Sequence, residues 1–319
     1  VRQVHTQQGM SLMELAVALL VSALVVLLAV GFYAQSAKTT LQAQSMAVMI
    51  DQHIYGVASL NEQLRLAGLG MTSQPQALLW DREQLHGLTG IDTKHLSSAG
   101  RHPSNLTIAS DQLTVRYVAP ADMLDCEGSV ALGPRRARLT NGQMALIDGQ
   151  VVIERYFVNK EADGSLALRC DAARYVTDEI ERDSTRDRRG LGSAYTSAII
   201  DRAVTDRGVR RANQVRGLGD QGELMLSEIE GFWVRWIGQQ AQSVQVGRMD
   251  EVQSEMLIDG VQIAILAQEL SDANAENNVP IFDQRLSLTD DKPRKLYQLQ
   301  ISFVNAGTLS ATDLSLPAE

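Results

Sequence analysis

This 319-residue sequence lacks, first of all, the motifs that carry most chemistry. It has no G-x-x-x-x-G-K-S/T, no G-x-S-x-G, no H-E-x-x-H and no dinucleotide fingerprint, which removes phosphate-cradling loops, nucleophile elbows and zinc-protease helices. Cysteine is scarce. Cys126 and Cys170 lie too far apart to form a C-x-x-C pair, so zinc-ribbon and thioredoxin-type chemistry has no foundation. Positive charge is in deficit: 29 Lys+Arg against 38 Asp+Glu give a net charge of -9, whereas a general nucleic-acid binder needs a cationic face to displace counterions. His86, His95 and His102 fall within one expected loop, but their irregular spacing, with no cysteine nearby, reads as scattered surface histidines rather than a metal set. The segment SDANAENN (271–278) offers oxygen donors without the alternation or distal glutamate of an EF-hand, and reads as a solvated loop. No cofactor and no catalytic set are expected.

What the sequence does have is one long apolar run. From Leu15 to Ala34 only Ser22 and Gly31 interrupt it, and twenty helical residues span about 30 Å, one hydrocarbon core. A secretory signal peptide would be shorter and would end in a small-residue cleavage site. Here residues 36–66 continue without proline and keep Leu41, Met46, Met49, Ile50, Ile54, Val57, Leu60 and Leu64 at helical spacing. The spacing predicts one continuous helix from about Ser11 to about Leu66, its first half in lipid. Arg2 before the span and Lys38 after it only weakly favour a cytoplasmic N-terminus.

After Ala67 the pattern changes to turn-rich sequence and then to period-two alternation. Leu113, Val115 and Tyr117 share a face; Ile153 and Phe157 oppose Glu154 and Tyr156; Tyr297, Leu299, Ile301 and Phe303 share a face. ELMLSEIEGFWVRWIG and VQIAILAQ also read as strands. The expected fold is α+β, a long N-terminal transmembrane helix packed against a mainly antiparallel β-sheet domain, with loops at about 81–105, 178–220 and 271–293. The second loop carries Arg182, Arg186, Arg188, Arg189, Arg202, Arg207, Arg210, Arg211 and Arg216. Asp183, Asp187, Asp201 and Asp206 neutralise part of that charge, and Tyr195 alone interleaves, so base stacking is poorly supplied and a solvated or partner-binding loop is expected.

Gly9, Met10 and Glu14 stand immediately before the span. A polar leader ending in glycine, a hydrophobic residue next and a glutamate four residues beyond it resemble a class III signal sequence, as in type IV prepilins. The resemblance implies cleavage between Gly9 and Met10 by the prepilin peptidase, N-methylation of Met10, and a Glu14 that meets the N-terminal amine of a neighbouring subunit. Further along, RLAGLG, QLTVRY leading to DCEG, IERYFV leading to LALRC, LSEIEGFWVRW and RKLYQLQISFVN are similar to the PilW group of minor pilins. FVN departs from the arginine-asparagine ending of that group, and the arginine-rich insert is particular to this chain.

The implied plan is a leader over 1–9, a pilin helix over 10–66 with about 15–34 in the membrane, and an exported β-rich domain over 67–319. Its implied role is that of an inner-membrane subunit that later helps initiate and cap a type IV pilus, with other minor pilins, the major pilin and a tip adhesin as partners. A J-type minor pseudopilin of type II secretion and a DNA-uptake subunit are the alternatives. Export would bring Cys126 and Cys170 into an oxidising compartment, where a disulfide between them is expected, two buried free thiols being the alternative.

Overall fold

The computed structural model describes residues 12–71, 77–139, 141–177, 212–240, 243–253, 256–268, 278–288 and 292–303. Two compact units divide the chain, residues 1–51 and 52–319. Each is taken by itself.

Helix α1 (Leu12–Arg65) runs for 54 residues, close to the expected bounds. Its stretch Leu12–Leu41, of mean hydropathy 2.9, is long and apolar enough to cross a membrane. From Leu15 to Ala34 it is apolar on every side, with no polar face to keep in water, as suits a helix surrounded by lipid or by other apolar helices. Three of its hydroxyls bond inside the helix: Ser22 donates to the Leu19 carbonyl, and Thr39 and Thr40 donate to that of Ser36. The helix passes through Gly31 without a break.

The second unit begins with the last turns of α1. His53, Gly56, Leu60 and Leu64 are buried, a spacing of three and four that lays one helical face on the sheet. Ile54, expected on that face, is 54% exposed, because the face in contact is centred one residue further round. Gly68 (φ 80°) and Gly70 (φ 71°) take left-handed conformations just past the helix, the usual glycine stop. The Gly68 amide donates to the Arg116 carbonyl, and the Val118 amide donates to that of Leu69, so the chain leaving the helix is tied at once to a strand.

In chain order the described strands are β1 (Ser98–His102), β2 (Ser110–Val118), β3 (Met123–Leu124), β4 (Val130–Ala131), β5 (Arg135–Arg138), β6 (Met144–Ile147), β7 (Val151–Lys160), β8 (Leu166–Tyr175), β9 (Glu223–Gln240), β10 (Ser243–Arg248), β11 (Leu257–Gln268), β12 (Asn278–Ile281), β13 (Gln284–Ser287) and β14 (Arg294–Ser302). The main sheet is antiparallel throughout, in the order β1-β2-β7-β8-β9-β11-β14, with β10 returning along β9. Strand β9 couples its two halves: Glu223 to Ile229 pair with β8, and Ile229 to Gln239 pair with β11. Register shifts and a left-handed Glu228 (φ 52°) mark bulges there, which bend and twist the strand. The result is a large, curled antiparallel sheet.

Both faces of its centre are covered. Leu60 and Leu64 from α1 pack with Leu113, Val115, Tyr156, Val158, Leu168 and Cys170 on one side. Leu79, Ile91, Leu96 and Val215 pack with Val151, Ile153, Ala173 and Tyr175 on the other. Hence β7 is buried from Val151 to Val158 without alternation. At the far edge, Ile301 and Phe303 are buried and Tyr297 and Leu299 pack against the same core, as their shared face predicts.

The loop expectations need correction. Residues 81–105 hold two 3-10 turns, Arg82–Leu85 and Thr93–His95, as well as β1. Residues 271–293 include the β12–β13 hairpin, whose Val279 and Ile281 are buried. Of 178–220, only 212–220 lie within the described residues.

Candidate functional site

Glu14 sits in the first turn of α1, where the helix dipole partly stabilises a carboxylate. Gly9 and Met10 lie outside the described residues, as do the arginines of the 182–216 segment except Arg216. Arg216 is exposed; its side chain donates to Gln214, and its backbone pairs with Arg174.

A buried polar arrangement in the second unit surrounds the cysteines. Cys126 and Cys170 form a disulfide with Cα atoms 6.1 Å apart. Cys126 lies on the turn of the β3–β4 hairpin. That turn is shaped by Asp125, whose carboxylate accepts from the Glu127 and Ser129 amides, and by the left-handed Gly128 (φ 72°). Cys170 lies inside β8, so the bond pins the hairpin onto the sheet. Arg174, four residues along β8, reinforces the attachment by meeting Asp125 at 3.0 Å and donating to the Val130 carbonyl.

Beneath the hairpin lies Glu154, on β7, with no exposed surface. Its carboxyl accepts from the Tyr117 hydroxyl at 3.0 Å, the Tyr156 hydroxyl at 2.6 Å and the Cys126 amide at 3.0 Å. Period-two reading places Glu154 on the face opposite Ile153, which is correct, but that face is interior because the hairpin covers it. Burial pushes the carboxyl up to about 7.

This shift sets a pH dependence. Between the ordinary value of 4.5 and about 7 the folded chain keeps a proton that the unfolded chain has lost. The stability this proton confers is full below about pH 4.5 and is lost as pH rises through about 7, at about 1.4 kcal/mol per pH unit. Asp111, pushed up to about 6 by burial, acts in the same direction. These two carboxyls therefore lower the midpoint of urea unfolding between about pH 4.5 and about pH 7, a fall that His95, depressed to about 4, partly offsets, and the slope is expected to be shallower in Glu154→Gln. A variant with the wild-type slope would contradict the assignment.

On the opposite face of β8, Asp171 binds Arg155 at 2.6 Å and accepts from the Gly219 amide at 2.9 Å. The Arg155 guanidinium lies 4.1 Å from the Phe157 ring centre. Glu127, Asp171 and Asp220 each bring a carboxylate oxygen within 4.8 Å of the others.

The histidines do not assemble. His86 is exposed, whereas His95 is buried and His102 bonds Gln112, so the expectation of surface positions fails for the last two. His95 Nδ1 accepts from the Asp92 amide, and burial together with Arg155 holds its pKa down to about 4. A G-x-G-x-x-G spacing does occur, at Gly217, Gly219 and Gly222, correcting the expectation that the chain has none. It runs into β9 rather than opening a helix, so no helix N-terminus stands behind it to hold a pyrophosphate. The glycines serve packing instead: a Cβ would lie 2.7 Å from the Ala172 carbonyl oxygen at Gly217, and 2.4 Å from that of Cys170 at Gly222.

No family model matches the chain. No curated protein matches it. Among solved structures it is similar to a type IV-like pilin from Thermus thermophilus, at 13% identity over 81% of this chain and 97% of that chain, with a TM-score of 0.36. So low a similarity does not carry family membership. The fold itself, one long apolar N-terminal helix and a large, curled antiparallel sheet with a cysteine bridge, is α+β.

Proposed function

We propose that the protein is a structural subunit, a minor pilin of the PilW group that helps initiate and cap a type IV pilus. The supporting observation is the combination of Gly9, Met10 and Glu14 with a helix that is apolar across a full membrane thickness and continues into the core of a disulfide-bonded β domain. In this reading the prepilin peptidase cuts after Gly9 and methylates Met10. The subunit then waits in the inner membrane with its domain in the periplasm, and joins other minor pilins, the major pilin and a tip adhesin through its helix. The size of the β domain favours the pilus over a J-type role in secretion, and a neighbouring run of minor-pilin genes rather than a secretion operon would support that choice. The role is non-enzymatic and needs no cofactor.

Glu14 tests assembly separately from insertion. An uncompensated charge costs about 2.5–3.5 kcal/mol at the bilayer centre and less near its edge, so Glu14→Ala should insert at least as well as the wild type. If the carboxylate pairs with a neighbour's amine, the variant is cleaved normally but fails to enter the fibre. Glu14→Gln behaves likewise, since a neutral amide matches an ammonium poorly. The measured quantity is subunit content of sheared pili relative to membranes. Normal incorporation of both variants would sink the assembly contact.

A further inference from the structure

We propose that Glu127, Asp171 and Asp220 form a binding site for a hard divalent cation, calcium by preference, that ties the disulfide hairpin to the sheet edge. The three residues come from separate segments: the β3–β4 turn, strand β8 and the glycine-rich approach to β9. They meet where β8 loses its partner, since β9 pairs with β8 only as far as Cys170. Past that point Gly219 reaches Asp171 and Arg216 pairs with Arg174, so the seam is closed by side chains and loop backbone rather than by a continuous strand.

A convergence of acids alone would not define a site. Asp171 supplies a second, independent observation. Its side chain has no exposed surface; Oδ2 is engaged by Arg155 and the Gly219 amide, while buried Oδ1 has no hydrogen-bond partner. A buried carboxylate oxygen without a donor calls for an ion or a water. Charge distinguishes the two. Three carboxylates are opposed by the Arg155 guanidinium bonded to Asp171, and Arg169, which also bonds this loop through the Gly222 carbonyl, is paired with Glu161. Burial pushes the Glu127 carboxyl up to about 7, so its ionisation and cation binding go together; with the three carboxyls ionised a dication offsets the remaining negative charge and a water does not. An all-oxygen donor set held by loops of irregular geometry suits calcium better than magnesium, which demands a near-ideal octahedron.

The test uses the full-length, oxidised chain in detergent, stripped with EDTA and titrated with calcium chloride by calorimetry, with thermal unfolding in parallel. Wild-type protein should bind with a dissociation constant of roughly 10⁻⁴–10⁻³ M, the range of extracellular calcium modules, and unfold at a higher temperature in calcium. Glu127→Gln and Asp220→Asn keep shape and avoid the Arg155 pair; each should weaken binding at least about tenfold and remove the thermal shift, with magnesium a poor substitute. No calcium heat and no thermal shift in wild type would leave Asp171 to a water and overturn the site. Wild-type affinity in both variants would place any bound calcium elsewhere and overturn it equally. The proposal stands or falls independently of the pilus reading.

Discussion

Replacing Cys126 and Cys170 together by alanine is expected to destabilise the β domain by about 4 kcal/mol, with a fall in unfolding temperature on the order of 10 °C. The bond closes a loop with a sequence separation of 44, and in the chain-entropy model a loop of that length confers about this much by restricting the unfolded chain. The hairpin keeps other attachments, among them the Arg174–Asp125 pair, the Arg174 bond to the Val130 carbonyl and the Cys126 amide on Glu154. The variant is therefore expected to remain folded at low temperature. Thermal unfolding of wild type with and without a thiol reductant, beside the double variant, is the check. Equal midpoints, or two thiols that alkylate freely in native protein, would contradict the bridge.

Gly56→Ala reverses the sign that helix propensity predicts. Alanine is better than glycine inside a helix by about 1 kcal/mol, so propensity alone makes the change stabilising. But a Cβ at Gly56 would lie 2.4 Å from the Met225 carbonyl oxygen and 2.6 Å from Leu226 Cδ2. The nearest of these is backbone in β9, which cannot swing aside. The helix must lift from the sheet, loosening Leu60 and Leu64 behind it, and overpacking of this kind costs about 1–3 kcal/mol. Net destabilisation in urea titration is expected; a stabilised variant would show that α1 does not approach β9 so closely.

The helix is readable because its signals are local and repeated: an unbroken apolar run, no proline, and leucines at positions 60 and 64. Strands β2 and β14 are readable through alternation. Burial on a second face is not, because it depends on what the rest of the chain lays on top. Glu154 illustrates this, since alternation correctly gives its face but cannot foresee the hairpin that covers it. Strands β12 and β13 are hidden for another reason. Each is only four residues long, one contains Pro280, and the left-handed turn position is Phe282 at φ 55° rather than a glycine, so the usual glycine signal of a tight hairpin is missing. Ile54 misleads because it is as apolar as Val57, which packs against the core, and nothing in its own spacing separates the two; Gly56, an unusual residue for a helix interior, lies on the contact face. The Glu127, Asp171 and Asp220 grouping spans three distant segments, and no sequence spacing connects them.

The central claim, a pilin-type subunit processed at Gly9 and assembled through its apolar helix, is tested most directly by the N-terminal peptide of the protein recovered from sheared surface fibres. Mass spectrometry should find a chain that begins at N-methylated Met10. Fibre-derived protein that still begins at Val1 or Arg2 would contradict it.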